Sequence, residues 1–193
     1  MKKILACILF VVMVANLFSQ EQGKIRGGLN LGLCVPKGGF GVAGDIQLGY
    51  NIQDNMNVGV RFGLAGMGKV NPLGGVDFGT SLNLLGTYTY YFNSGQSSFA
   101  PFIGGGLGFY TLFELSFNEQ YGVYMDAGTY PGGMLTAGFE ARKFRMSLEY
   151  HLLPTTTITV EGTPSKEIKN HKIKNSYLAI NIGFYIGGGK WKK

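Results

Sequence analysis

Cysteine is scarce in this chain. Cys7 and Cys34 are the only two cysteines among 193 residues, and Cys7 lies in an apolar amino-terminal run that we expect to be removed. The single remaining thiol forms neither an internal disulfide nor a cysteine metal site. Most of the apolar run follows Cys7, which disfavours a lipoprotein attachment site. We therefore predict no metal and no cofactor.

Charge is also low, at 15% of the residues. With Lys2 and Lys3 set aside, the net charge is +4, and the basic residues are not concentrated in one segment. Nucleic-acid-binding domains usually carry a basic patch or stripe. We predict no nucleic-acid partner.

Long apolar runs are limited to residues 4–18. This run is shorter than the roughly 20 residues that a transmembrane helix needs. It follows Lys2-Lys3 and ends at the polar Ser19-Gln20-Glu21, which is the layout of a secretory signal peptide. We predict a cleaved signal peptide over 1–19 and one exported domain over 20–193.

Glycine, by contrast, is abundant, and the 32 glycines are spread through segments with a two-residue period. Along Phe144–Leu152, five apolar side chains alternate with Arg145, Ser147, Glu149 and His151, as in a two-faced strand. Eight such strands are predicted, at 24–34, 40–52, 56–66, 76–92, 98–111, 133–142, 144–153 and 176–187.

The connections predict how these strands are arranged. After the first, short connections at 53–55, 93–97 and 142–143 alternate with longer ones at 67–75, 112–132 and 154–175. Short periplasmic turns and longer extracellular loops are typical of transmembrane barrels. We predict an all-β fold, an eight-stranded antiparallel up-and-down transmembrane barrel.

Alternation alone does not say which face meets lipid, so a soluble lipocalin-like ligand-binding barrel stays open. The non-apolar face is mostly glycine and small polar residues, as expected inside a narrow barrel. Aromatic residues near the strand ends predict two interfacial girdles. The girdle on the short-turn side comprises Tyr50, Tyr88, Tyr90, Phe92, Phe99, Phe144 and Phe184, and the other comprises Phe40, Phe78, Phe109 and Tyr150.

Isolated charges fall on the predicted inner face. Unpaired charges buried there are costly, so we expect Arg26, Arg61 and Arg145 to pair with Asp45, Asp77, Glu140 and Glu149. One interpretation is a structural network that plugs the lumen. The alternative is a polar path that conducts ions when the network rearranges.

Ser147, Glu149 and His151 are the one constellation that suggests catalysis, since some outer-membrane barrels are lipid-modifying hydrolases that use Ser and His. Ser147 and His151 are four residues apart on one strand, a separation of about 13 Å. At that distance the imidazole cannot accept the proton of the hydroxyl and so cannot activate it as a nucleophile. We predict no enzyme activity. Glycine-rich segments at 63–70 and 104–108 lack the flanking helix of a nucleotide site.

The predicted loops offer the remaining functional surface. A lysine cluster in the last loop is placed to contact lipopolysaccharide phosphates, and tyrosines in the third loop suggest a partner surface. These residues are Lys166, Lys169, Lys172 and Lys174, and Tyr121 and Tyr124.

Three segments carry a resemblance to a known family: the signal peptide ending Phe18-Ser19-Gln20, the strand 100–110 and the last strand, 177–186. With these segments the chain resembles the small outer-membrane β-barrel proteins, such as the OmpA transmembrane domain and OmpX, and is similar to the barrel proteins of Bacteroidetes. The resemblance implies an outer-membrane location, insertion by the barrel-assembly machinery and a monomer. It also implies a structural or surface-interaction (adhesion) role, with a small pore or transport-associated barrel as the alternative.

Overall fold

The computed structural model describes residues 21–70, 76–92, 98–118, 122–160 and 169–188. The predicted signal peptide, Tyr121 and Lys166 lie outside these ranges. The described residues contain ten strands, which in chain order are β1 Ile25–Pro36, β2 Gly39–Gln53, β3 Met56–Val70, β4 Val76–Tyr91, β5 Phe99–Asn118, β6 Gly122–Ala141, β7 Phe144–Leu152, β8 Thr155–Val160, β9 Lys169–Lys174 and β10 Tyr177–Gly187.

Eight of these strands close into an antiparallel barrel, and β8 and β9 form a separate two-stranded sheet. The barrel is closed by β1 and β10, which pair from Arg26↔Gly187 to Pro36↔Tyr177. Every barrel strand therefore has two neighbours, which removes the open sheet edges that a membrane does not tolerate. The predicted eight-stranded barrel is confirmed. In the described parts of the chain, no helix has the length and apolar character needed to cross a membrane.

The apolar face points outward. Leu107 is 78% exposed and Ile25 is 65% exposed, whereas Arg26 and Asn30 on the alternate positions of β1 are only 3% exposed. A lipocalin-like barrel needs the opposite arrangement, with apolar side chains around a central cavity. The soluble-barrel alternative is therefore wrong.

The main difference from the predicted strand boundaries is in the third loop. Residues 112–118 continue β5 and residues 122–132 continue β6, so that only 119–121 lie between the two strands. Residues 113–118 still alternate apolar and polar in sequence, as in a strand, and β5 pairs with β6 as far as Asn118↔Gly122 beyond the barrel wall. The expected long loop at 112–132 is thus a projecting hairpin. The last loop contains β8 and β9, which were not predicted.

Inward glycines make room for large polar neighbours. Gly183 lies beneath the Asn30 side chain, and a Cβ on Gly183 would lie 2.6 Å from the Leu29 carbonyl oxygen. On the outer face, a Cβ on Gly66 would meet no atom of the described residues within 4 Å.

This contrast predicts opposite effects of one substitution. Gly183→Ala is expected to lower the free energy of unfolding by about 2 kcal/mol, because neighbouring backbone would have to move. Gly66→Ala is expected to be neutral or slightly stabilising, because alanine lowers the entropy of the unfolded chain. Urea unfolding in detergent micelles measures both, and equal effects would contradict the prediction.

Candidate functional site

The lumen holds two clusters of charged side chains, and the first is centred on Arg61. The guanidinium of Arg61 donates to both carboxylate oxygens of Glu149, at 2.9 and 2.6 Å, and to Asp45 at 2.7 Å. Asn30 donates to the second oxygen of Asp45 at 2.7 Å. Such bidentate, charge-assisted bonds are strong and directional. Arg61 thus links β2, β3 and β7 across the barrel.

The second cluster is centred on Glu140, nearer the end that carries both termini. Arg26 donates to Glu140 at 2.8 Å, and the Tyr91 hydroxyl donates to the same oxygen at 2.9 Å. Arg145 approaches that oxygen at 3.4 Å and donates to the Tyr185 hydroxyl at 3.2 Å. Two cations therefore share one carboxylate.

Aromatic rings offset this excess positive charge. The Arg26 guanidinium carbon lies 4.1 Å from the centre of the Tyr185 ring, and that of Arg145 lies 3.9 Å from the centre of Phe102. Cation–π contacts of this kind are worth more when the cation is desolvated. Tyr185 also donates to Gln47 at 2.7 Å, so this ring connects the cluster to β2, which is separated from β10 by β1 in the barrel.

Both clusters are sealed from solvent. The charged side chains of the Arg61 and Glu140 clusters are at most 5% exposed. Apolar side chains fill the lumen beside them, in groups that include Cys34, Met67 and Tyr177, and Leu85, Tyr110 and Met134. The two clusters and these apolar side chains together plug the lumen. The clusters contain three arginines and three carboxylates, so their charges cancel.

Six of the seven predicted lumen residues lie in these two clusters: Arg26, Asp45, Arg61, Glu140, Arg145 and Glu149. Asp77 is in β4 opposite Lys69, and its side chain lies outside the description. The predicted set of lumen residues omits Tyr91, Tyr185 and Gln47. Strand parity places all three inside, because Tyr91 shares a face with Asp77, Gln47 shares a face with Asp45, and Tyr185 alternates with the predicted girdle residue Phe184.

Of the predicted surface residues, Lys169, Lys172 and Lys174 lie in β9, where Lys172 pairs with Thr157 and Lys174 with Thr155. Tyr124 lies in β6 opposite Ser116. Their backbone positions place them beyond the barrel wall, at the end opposite the termini.

Comparison with known proteins supports this architecture. The chain is 34% identical over 80 residues to outer membrane protein W of Vibrio cholerae serotype O1, a match that covers 38% of this chain and 37% of that relative. The outer membrane protein OprG of Pseudomonas aeruginosa matches with a TM-score of 0.53 and 12% identity, over 87% of this chain and 98% of that one. Neisserial surface protein A matches with a TM-score of 0.50 and 14% identity, over 84% and 95%. No family model matches.

The chain is a small outer-membrane β-barrel protein. Its location is the bacterial outer membrane, and the outward Leu, Ile and Phe side chains form its lipid face. Of the aromatic residues at the strand ends, Tyr50, Phe99, Phe109 and Tyr150 are 41–62% exposed on that face.

In this barrel protein, the Ser147–Glu149–His151 constellation is a structural bridge. The Ser147 hydroxyl donates to Glu149 at 3.1 Å, and His151 contacts the other Glu149 oxygen at 3.4 Å. The second imidazole nitrogen lies 3.0 Å from the Tyr110 hydroxyl. Glu149 thus separates the hydroxyl from the imidazole, and this arrangement does not activate a nucleophile.

Proposed function

We propose that the barrel is a sealed anchor for an extracellular sheet, and that its role is structural and interactive at the cell surface. The observation that carries this proposal is the plugged lumen, in which Arg61 bridges two carboxylates across the barrel. A barrel without an open lumen offers function through its surface.

The projecting hairpin supports the interactive part of the role. β6 pairs with β7 only from Gly133 onward, and within the described ranges no strand pairs with Gly122–Gly132 on the side away from β5. The chain after β7 is held toward β10, where the Leu153 amide donates to Ser176 at 3.1 Å and Asn175 donates to the Pro154 carbonyl at 3.1 Å. An open strand edge is a template for pairing with another chain.

Lipopolysaccharide is the second proposed contact of this surface. β9 carries Lys169, Lys172 and Lys174 above the barrel rim, and cations near an anionic membrane surface are attracted to its phosphates. We also propose that the barrel-assembly machinery inserts the protein and that it is a monomer.

A small pore is the alternative function, and one observation favours it. Both amide atoms of Asn181 and the amide oxygen of Asn83 are buried and have no hydrogen-bond partner among the described residues. Buried polar atoms of this kind commonly bind internal water. A rearranged charge network could join such waters into a path.

Planar-bilayer recording of the purified, folded protein separates the two functions. We expect no sustained conductance, because Arg61 and Glu140 each close the lumen with ion pairs. Steady single-channel currents would overturn the sealed-anchor proposal and support the pore.

Shortening the hairpin tests the interactive role. Removing residues 115–125 and joining Glu114 to Asp126 through Asn-Gly keeps a paired closing position and a turn suited to hairpins. We expect cells that express the shortened barrel to lose the adhesion or aggregation of cells that express the full chain. The heat-modifiable band on gels, which reports folding, should be retained. Unchanged adhesion would contradict the role.

A further inference from the structure

The turn between β6 and β7 holds an arginine in an unfavourable backbone conformation. Arg142 has a φ of 58°, in the left-handed region that favours glycine. Hydrogen bonds hold both sides of the turn: the Arg142 amide donates to the Ser98 carbonyl at 2.9 Å, and the Tyr185 amide donates to the Lys143 carbonyl at 2.9 Å. Neighbouring strands therefore impose the conformation, as they do at strained functional positions.

Two cations stand side by side on this turn. Among the described residues, no carboxylate lies within ion-pair distance of Arg142 or Lys143. The Lys143 ammonium donates to the Gly187 carbonyl at 2.8 Å, which leaves further N–H groups for a ligand. Burial lowers the pKa of Lys143 to about 8, with repulsion from Arg26 adding to the effect and attraction to Glu140 opposing it. A bound anion would favour the charged form.

A row of aromatic rings runs along the lipid face beside the turn. Ring centres are 5.2 Å apart between Phe99 and Phe139, 6.5 Å between Phe139 and Phe144, and 5.9 Å between Phe144 and Phe184. Phe99 is 49% exposed and Phe184 is 64% exposed. This row spans β5, β6, β7 and β10 and presents a continuous apolar surface to acyl chains.

We propose that Arg142, Lys143 and the aromatic row bind a phospholipid with an anionic headgroup in the periplasmic leaflet. The turn lies at the end of the barrel that carries both termini, which is the periplasmic end in this fold. The two cations meet the phosphate, and the phenylalanine rings meet the acyl chains. Basic residues at a membrane surface recognise anionic lipids in this way.

Vesicles of phosphatidylcholine, with and without phosphatidylglycerol, test the proposal. We expect phosphatidylglycerol to raise the urea midpoint of unfolding of the full chain. Arg142→Gly should lose at least half of that rise. In phosphatidylcholine alone the same variant should be as stable as the parent or more stable, because glycine relieves the backbone strain. A merely structural role would instead lower the stability of the variant in both kinds of vesicle.

Two further variants complete the test. Lys143→Gln keeps an N–H donor for the Gly187 carbonyl but removes the charge, and it should also lose about half of the rise. Lys24→Gln removes an exposed cation at the same end of the barrel, outside the turn, and should keep the full rise. The proposal is overturned if Arg142→Gly and Lys143→Gln keep the full rise, or if Lys24→Gln loses as much as they do.

Discussion

Replacing Arg61 with methionine is expected to lower the free energy of unfolding by about 3–5 kcal/mol. The side chains of Asp45 and Glu149 are each 1% exposed, and the substitution leaves both carboxylates in the lumen without their cation. Methionine replaces only the aliphatic stem of arginine, so the loss combines two unpaired carboxylates with a cavity where the guanidinium lay. Urea unfolding in detergent micelles, followed by the shift of the folded band on gels, measures the change.

Neutralising the carboxylates in the same chain provides the control. Buried ion pairs contribute little net stability over neutral replacements of similar shape, because desolvation offsets their attraction. The triple variant Arg61→Met, Asp45→Asn, Glu149→Gln should therefore be more stable than Arg61→Met alone. A single-variant loss below about 1 kcal/mol, or a triple variant that is no more stable than the single one, would contradict this account of the plug.

The two-residue period of the sequence was sufficient to predict the barrel and its inner face. In β7, for example, Arg145, Ser147 and Glu149 fall on alternate positions, and all three lie in the lumen. The period did not predict which charges pair. Arg26 meets Glu140 across 114 residues of chain, because the stagger between strands sets which positions share a level of the lumen.

The projecting hairpin shows a second limit of reasoning from sequence. Residues 113–118 keep the alternation of a strand, but the sequence predicts a loop over 112–132 whose tyrosines form a partner surface. A lipid-facing strand and its continuation above the membrane share one period, so alternation does not mark where the membrane ends. The glycine and aromatic content of 121–132 added to the misreading.

Tyr185 illustrates a third limit, since its contribution depends on contacts with several strands. It packs against Arg26, accepts from Arg145 and donates to Gln47. An inward tyrosine near a strand end has no sequence feature that distinguishes it from a girdle tyrosine, except its parity with Asn181 and Gly183. The partners become visible only once the barrel is closed.

Glu140→Gln is expected to cost about 3 kcal/mol, because it removes the one carboxylate that Arg26 and Arg145 share. Glutamine keeps the shape of the side chain and an oxygen that accepts from Tyr91. The loss therefore isolates the charge. Glu114→Gln is the matched control, since Glu114 pairs with Lys69 at 3.5 Å near the extracellular rim, where the carboxylate is 17% exposed. We expect the control to cost less than about 1 kcal/mol.

A double variant tests whether the aromatic contacts of this cluster can replace the missing carboxylate. In the Glu140→Gln barrel, Tyr185 and Phe102 still face the two guanidiniums, but cation–π attraction is weaker than a desolvated ion pair. Adding Arg26→Met removes one of the two uncompensated charges and should recover part of the lost stability, although it also removes a hydrogen bond to Tyr91. If the double variant is less stable than Glu140→Gln by the cost of Arg26→Met alone, the two residues are not coupled and Glu140 does not hold the periplasmic half of the plug together.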